Sequence, residues 1–174
     1  MNVAFFDRDG TIIEDYEDHE WTNVYKPVFI DGAIETLRHI QKQGYKIIII
    51  TNQYLINEGY ISYEQYDVVN NRMLRVLKEH NISIQEVFYC PHRRDEDCRC
   101  IKPNVGMIEQ AITNYPDIRL NHSFIVGDSR VDVDLATKLG IRGYGIRVTN
   151  EQSNVTLIDA ISDLQSIINK YERS

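Results

Sequence analysis

The stretch Val3-Ala4-Phe5-Phe6-Asp7-Arg8-Asp9-Gly10-Thr11 decides the fold of this chain. An apolar run with β-branched and aromatic residues leads directly to Asp7, and Asp9 follows before Gly10 permits a tight turn. Alternate residues of an extended chain share one side, so both carboxylates can face a single pocket at the strand end. A divalent cation would relieve their repulsion, while two solvated Asp side chains in a polar turn are the alternative.

Size and composition indicate one ordinary globular domain over residues 1–174, with 43% hydrophobic and 26% charged residues. The net charge of -7 disfavours a nucleic-acid partner, because phosphate backbones bind basic surfaces. Apolar runs such as Ile47 to Ile50 are far shorter than a bilayer span, and the N-terminus lacks a secretory pattern. We therefore expect a cytoplasmic protein with no membrane partner, acting as a monomer.

Hydrophobic patterns beyond the first strand predict an alternation of strands and helices. Helices are predicted at 31–43 with Asp31 as cap, 62–80, after Pro103, 131–139 and, as a closing helix, about 155–170, and strands at 45–50, 84–89, 123–126 and 144–148. This order predicts an α/β fold with a doubly wound parallel sheet, which binds ligands at the carboxyl ends of its strands. Residues 12–29 have no clear period, and a flap over the pocket and a surface loop are equally good interpretations.

Four predicted strands are each followed by a residue whose side chain can take part in catalysis or bind a metal. These residues are Asp7, Thr51, Cys90 and Asp128. A turn-forming Thr and a helix-capping Asp are the structural alternatives for two of them. We nevertheless expect their side chains to meet at one edge of the sheet, because parallel strands point the same way.

The segment Cys90-Pro91-His92-Arg93-Arg94-Asp95-Glu96-Asp97-Cys98-Arg99-Cys100 contains all three cysteines of the chain. An odd, clustered set is poor material for disulfides, and three thiolates with one imidazole form a closed tetrahedral set suited to zinc. We predict that Cys90, His92, Cys98 and Cys100 hold a structural Zn2+. Such an ion would fix a polar loop, here called the zinc loop (residues 90–100), and with it the following Lys102.

Taken together, the motifs resemble the haloacid dehalogenase superfamily of phosphohydrolases. The motifs are Asp-x-Asp-Gly-Thr at 7–11, Thr-Asn-Gln at 51–53, Lys-Pro at 102–103 and Gly-Asp-Ser at 127–129. With the zinc loop, they are similar to the branch that contains D-glycero-D-manno-heptose 1,7-bisphosphate phosphatase and histidinol-phosphate phosphatase. The resemblance, which covers residues 2–148, implies a Rossmann-like core without a large cap domain.

The resemblance also implies phosphoryl transfer through an aspartyl-phosphate. Asp7 would be the nucleophile and Asp9 the general acid and base. Mg2+ would be held by Asp7, Asp128 and the backbone carbonyl of Asp9. The remaining site residues would bind the phosphoryl oxygens or the substrate: Thr51, Asn52, Gln53, Lys102 and Ser129. Asp132 would orient Lys102 or a metal-bound water. Alternatively, as an acid in the first turn of a helix, it would interact favourably with the helix dipole.

The expected substrate is a small phosphate ester, and two departures from the family pattern bear on its identity. Ile101 stands where many relatives have Arg, and Tyr54-Leu55 replaces a small residue and Gly. Phe29-Ile30-Asp31-Gly32 resembles the heptose enzymes, and we expect release of the 7-phosphate of heptose bisphosphate or a related ester. The short gap from His92 to Cys98 is similar to that of the histidinol-phosphate phosphatases, which makes histidinol phosphate the alternative substrate. An alternative from another functional class is a catalytically idle zinc-loop protein that binds a metabolite or a partner.

Overall fold

The computed structural model describes residues 1–149 and 151–169 and contains one six-stranded, wholly parallel sheet. Its strands are β1 Val3–Phe6, β2 Lys46–Asn52, β3 Ile84–Cys90, β4 Phe124–Gly127, β5 Arg142–Ile146 and β6 Val155–Ile158. Their spatial order is β3-β2-β1-β4-β5-β6. The direction of winding therefore reverses between β1 and β4, which is where sheets of this kind bind ligands. The predicted doubly wound sheet is confirmed.

Helices cover both faces of the sheet. They are α1 Asp18–Trp21, α2 Ala33–Lys42, α3 Tyr63–Glu79, α4 Gly106–Asn114, α5 Arg130–Leu139 and α6 Leu164–Ile167, with short 3-10 turns at Leu120–His122 and Ile161–Asp163. No helix within residues 1–149 and 151–169 has the length and apolarity that a bilayer crossing demands.

The two core clusters follow from the alternation of side chains along the buried strands. Val3 and Phe5 point to the cluster that contains α4 and α5 residues, while Ala4 and Phe6 point to the cluster beneath α2, α3 and α6. Ile47 to Ile50 divide between the same two clusters, and all four are fully buried. A strand that is apolar on both sides is the expected form for the interior of a parallel sheet.

Two predictions about element ends are wrong. The predicted helix over 155–170 begins instead as strand β6, which pairs in parallel with β5, and only Ile161–Asp163 and Leu164–Ile167 are helical. Residue 170 lies outside the described residues. The N-cap of α2 is Gly32, in a left-handed conformation with φ 82°, and not Asp31. Ser62 does cap α3, where its side chain accepts a hydrogen bond from Gln65 N.

Candidate active site

Asp7 and Gly10 mark the turn by which the chain leaves the central strand. The Asp7 backbone N–H donates to Val126 O at 2.9 Å, so the pairing with β4 extends one residue beyond β1. Gly10 then adopts φ +84°, and a Cβ there would collide with the Asp128 carboxylate. Gly is therefore required at position 10 both by its backbone conformation and by the close approach of Asp128.

Lys102 connects the zinc loop to this strand end. Its Nζ is fully enclosed and donates to Asp7 Oδ1 at 2.8 Å, Asp132 Oδ1 at 2.7 Å and Ile50 O at 2.8 Å. Burial lowers the pKa of Lys102, but the charges of Asp132 and Asp7 raise it more, so the net shift is upward. The ammonium group is therefore present at neutral pH and lies against the proposed nucleophile.

Three carboxylates meet beside this ammonium group. Oxygen atoms of Asp7, Asp128 and Asp132 all lie within 4.8 Å of one another. Burial and the charge of Asp7 raise the pKa of Asp128 to about 8 and that of Asp132 to about 7. The raised pKa values arise first from burial, which disfavours the charged carboxylate, and second from the repulsion between neighbouring acids.

The donor set fits a hard divalent cation, because Mg2+ prefers carboxylate oxygens and offsets their repulsion. Asp132 is already engaged, since Oδ1 accepts from Lys102 and Oδ2 accepts from the Ser129 backbone N–H at 3.2 Å. Asp7 and Asp128 are therefore the better candidates for magnesium. The predicted contribution of the Asp9 carbonyl stays a prediction.

A clamp that the sequence analysis missed holds Asp9. Arg8 Nε and Nη2 donate to its two carboxylate oxygens at 2.8 and 3.3 Å, and Gln53 Nε2 donates to Oδ2 at 2.8 Å. Arg8 is 1% exposed, and its guanidinium lies over the rings of Tyr66 and Trp21 at 5.1 and 5.9 Å. The signal in the sequence was a cation placed directly between two acids.

The three residues of Thr51-Asn52-Gln53 have separate partners. The Thr51 hydroxyl accepts from Gln53 Nε2 at 2.8 Å, so the same amide group bridges Thr51 and Asp9. Asn52 binds the backbone of Lys102 through both ends of its side chain. Its side chain therefore holds the backbone of the proposed phosphate-binding lysine, and its predicted contact with the substrate stays a prediction.

A cavity of about 330 Å³ opens above these side chains. Asp7, Asp9, Asn52, Gln53, Lys102, Asp128, Ser129 and Asp132 line it, and so do Asp15, Tyr16, Asp18, Trp21, Tyr54, Leu55 and Val131. Thr51 is only 1% exposed and does not line this cavity. Several lining residues come from residues 12–29, here called the entrance segment. This segment therefore borders the pocket, as the flap interpretation expects, and sequence analysis missed its Asp15 and Asp18 because the segment has no periodic pattern.

The second predicted constellation also converges. One ligand atom from each of Cys90, His92, Cys98 and Cys100 lies within 4.8 Å of the other three. Burial and the neighbouring Cys100 raise the pKa of the Cys90 thiol, and a bound cation would offset this cost of forming thiolates. Three sulfur atoms and one imidazole nitrogen at this spacing fit Zn2+.

Comparisons with known proteins identify the family of this chain. The model of the family "Polynucleotide kinase 3 phosphatase" matches residues 2–139. The histidine biosynthesis bifunctional protein HisB of Campylobacter jejuni subsp. doylei is 35% identical over 160 residues, which are 90% of this chain and 45% of that protein. The chain thus spans less than half the length of this bifunctional relative.

A second relative matches from end to end. The D-glycero-beta-D-manno-heptose-1,7-bisphosphate 7-phosphatase of Haemophilus influenzae is 35% identical over 188 residues, covering 99% of this chain and 100% of that protein. The crystal structure of D,D-heptose 1,7-bisphosphate phosphatase from B. bronchiseptica, complexed with magnesium and phosphate, superposes with a TM-score of 0.85. Its 20% sequence identity, over 96% of this chain and 97% of that one, shows a shared fold. The chain therefore belongs to the haloacid dehalogenase superfamily of phosphatases. Within that superfamily, it is a member of the family that the polynucleotide kinase 3 phosphatase model describes and that includes the D-glycero-D-manno-heptose 1,7-bisphosphate phosphatase-like proteins.

Proposed function

We propose that this chain is a magnesium-dependent phosphatase that hydrolyses a small phosphate monoester through an aspartyl-phosphate. The observation that carries the proposal is the contact of Lys102 Nζ with Asp7 Oδ1 at 2.8 Å, beside Asp128 and at the floor of a cavity. A nucleophilic carboxylate, a fixed cation and a second acid for metal binding are thereby assembled at the switch point of the sheet.

In the proposed reaction, the Asp7 carboxylate attacks phosphorus and the ester oxygen leaves with a proton from Asp9. Asp9 then removes a proton from the water that hydrolyses the acyl phosphate on Asp7. Lys102 stabilises the charge on the transferring oxygens, which is where most of the catalytic effect of such sites arises. Mg2+ bound to Asp7 and Asp128 would add positive charge at the same oxygens.

We propose D-glycero-D-manno-heptose 1,7-bisphosphate as the first substrate to test, with release of the 7-phosphate. Full-length similarity to the Haemophilus influenzae relative supports this choice. Histidinol phosphate is the second candidate. It is supported by the similarity to the bifunctional histidine protein and by the Asp15 carboxyl group in the cavity wall, which suits a substrate that carries an amine.

The proposal also covers the oligomeric state, the cellular compartment and the structural metal of this chain. We propose that the chain acts as a monomer. Three free thiols that serve as zinc ligands are suited to a reducing compartment, so we propose the cytoplasm. A structural Zn2+ in the zinc loop completes the proposal.

The test is a phosphate-release assay over a panel of phosphorylated metabolites that includes both candidates, with and without Mg2+. We expect turnover that needs Mg2+ and is abolished in Asp7→Asn, since an amide cannot form the acyl phosphate. The ratio of kcat/KM for the two candidate esters then identifies the preferred substrate. Turnover that survives in Asp7→Asn would show that the nucleophile is assigned wrongly, and a protein inactive on the whole panel would favour the idle binding protein.

A further inference from the structure

Arg94, at the tip of the zinc loop, contacts three residues in two other parts of the chain. Its Nη2 donates to Asp18 Oδ2 at 2.9 Å and to Glu58 Oε1 at 2.7 Å. Its Nε and its backbone N–H both donate to Glu58 Oε2, at 3.0 and 3.2 Å. The guanidinium also lies 4.1 Å from the centroid of the Tyr54 ring. One side chain thus joins the zinc loop to α1 and to the residues that follow β2.

Two of the three partners of Arg94 form part of the pocket wall. Asp18 and Tyr54 both line the cavity above Asp7, whereas Arg94 stands behind them and does not. Arg94 is therefore placed to act through these two residues and not by touching the reacting atoms.

The entrance segment is held to α3 on one side and to the zinc loop on the other, and Thr22 Oγ1 also donates to Tyr60 O at 3.0 Å. On one side, Gln65 Nε2 donates to Trp21 O and Val24 O, at 2.7 and 2.8 Å, and thereby fixes the segment to α3. On the pocket side, Arg94 binds Asp18. The α3 contact would remain if Arg94 were removed, so loosening would be confined to the pocket side, where Trp21 also lines the cavity.

The combination of contacts makes Arg94 more than an ordinary surface ion pair. Its side chain is 49% exposed, and a single pair of that kind contributes little. Here a forked contact to Glu58, a second carboxylate and an aromatic face act on the same guanidinium, and the planar group suits all three at once. Lys could replace the charge but not the fork.

We propose that Arg94 is a specificity-determining residue, by which the zinc loop fixes Asp18 and Tyr54 and so sets the outer wall of the substrate pocket. The proposal rests on the proposed phosphatase function. It assigns the zinc loop a second task besides carrying Lys102, because the loop then decides which esters are held once their phosphate group is in place.

The test compares Arg94→Ala with Arg93→Ala, a matched control. Arg93 is the adjacent exposed Arg, and its described ion pair stays within the loop, with Asp95. Each variant is assayed with acetyl phosphate, which is too small to reach the outer wall, and with the preferred metabolite of the panel. For Arg94→Ala we expect the ratio of kcat/KM, metabolite over acetyl phosphate, to fall about fivefold, mainly through the KM of the metabolite. Arg94→Lys should recover part of that ratio, and Arg93→Ala should match the wild type.

A readout independent of turnover separates this proposal from the proposed function. Trp21 is the single tryptophan of the chain and is 4% exposed. Its fluorescence should be quenched more strongly by acrylamide in Arg94→Ala than in Arg93→Ala, with equal zinc content by metal analysis. Equal quenching in the two variants, together with an unchanged kcat/KM ratio, would overturn the proposal. Increased quenching in a protein that hydrolyses no ester would support the role of Arg94 in the wall and contradict only the phosphatase function.

Discussion

Asn52 and Lys102 are joined by two hydrogen bonds across fifty residues of chain. Asn52 Oδ1 accepts from the Lys102 backbone N–H at 2.8 Å, and Asn52 Nδ2 donates to Lys102 O at 3.2 Å. The pair fixes the backbone from which Nζ reaches Asp7. Asn52 is therefore a positioning residue, whose effect on the reaction passes through Lys102.

Asn52→Ala tests this relationship. Loss of both hydrogen bonds should loosen Lys102 and lower kcat by about ten- to a hundredfold, because small displacements of catalytic groups are costly. Steady-state kinetics on the preferred ester give kcat and KM separately. Asn57→Ala is the control, since Asn57 is exposed and its amide bonds only weakly to Glu96, at 3.4 Å. A rise in KM with an unchanged kcat would instead favour direct substrate binding by Asn52.

Gly10→Ala should weaken Mg2+ binding, whereas Gly59→Ala should leave it unchanged. Gly10 and Gly59 both have left-handed backbones, with φ +84° and +86°, but a Cβ meets the Asp128 carboxylate at position 10 and nothing within 4 Å at position 59. Each substitution should lower the free energy of unfolding by about 1 kcal/mol through backbone strain. Only Gly10→Ala should weaken Mg2+ binding, which isothermal calorimetry measures. Equal Mg2+ affinities in the two variants would contradict the close approach of Asp128.

Mg2+ affinity should rise with pH up to about 8. Without a cation, burial and the charge of Asp7 raise the pKa of Asp128 to about 8, so a proton competes with the metal below that value. The apparent affinity should therefore increase by up to about tenfold per pH unit between pH 6 and 7. Calorimetric titrations at three pH values check the slope, and an affinity that is constant over this range would contradict it.

The same shift predicts the effect of pH on the metal-free protein. A carboxyl group with a raised pKa binds more protons in the folded than in the unfolded state, so its ionisation destabilises the fold. Between the ordinary pKa of 3.8 and the raised value of about 8, the contribution of Asp128 to stability should fall as pH rises. Thermal melts should consequently show a larger stabilisation by Mg2+ at pH 8 than at pH 6.

Zinc removal should lower stability before it alters the magnesium requirement. We expect one tightly bound zinc per chain, and Cys98→Ser should release it and lower Tm by about 2–4 °C for each kcal/mol of stability lost. Asp97→Ala, at an exposed position of the same loop, is the control and should keep both zinc and Tm. Protein purified without chelators that contains no zinc would count against the cluster.

The sequence was most informative where a pattern had no competing explanation. The four consecutive β-branched residues Ile47 to Ile50 favoured a strand buried on both faces, and the structure has them fully buried within β2. Val155–Ile158 was wrongly predicted as part of a helix, because a short apolar run fits a helix face as well as a strand. Its pairing with β5 decided the matter, and pairing with a distant strand leaves no local signal.

The site shows the same division. The motif residues Asp7, Lys102 and Asp128 could be selected from the chain alone, because each follows a strand or the zinc loop in a recognisable order. The partners of Arg8, Asn52 and Arg94 could not be predicted from the sequence, because the groups that can hydrogen-bond with a side chain come close to it only when the chain folds.

By itself, the sequence determined the parallel sheet, the two sets of side chains that could hold metal ions and the residues at the strand ends, because periodicity and motif spacing are local properties. Only the tertiary structure decided that Asn52 serves Lys102, that Arg8 clamps Asp9 and that Arg94 fixes the pocket wall. Those contacts join segments far apart in the chain or depend on which way a side chain turns, and their geometry exists only once the strands are packed side by side.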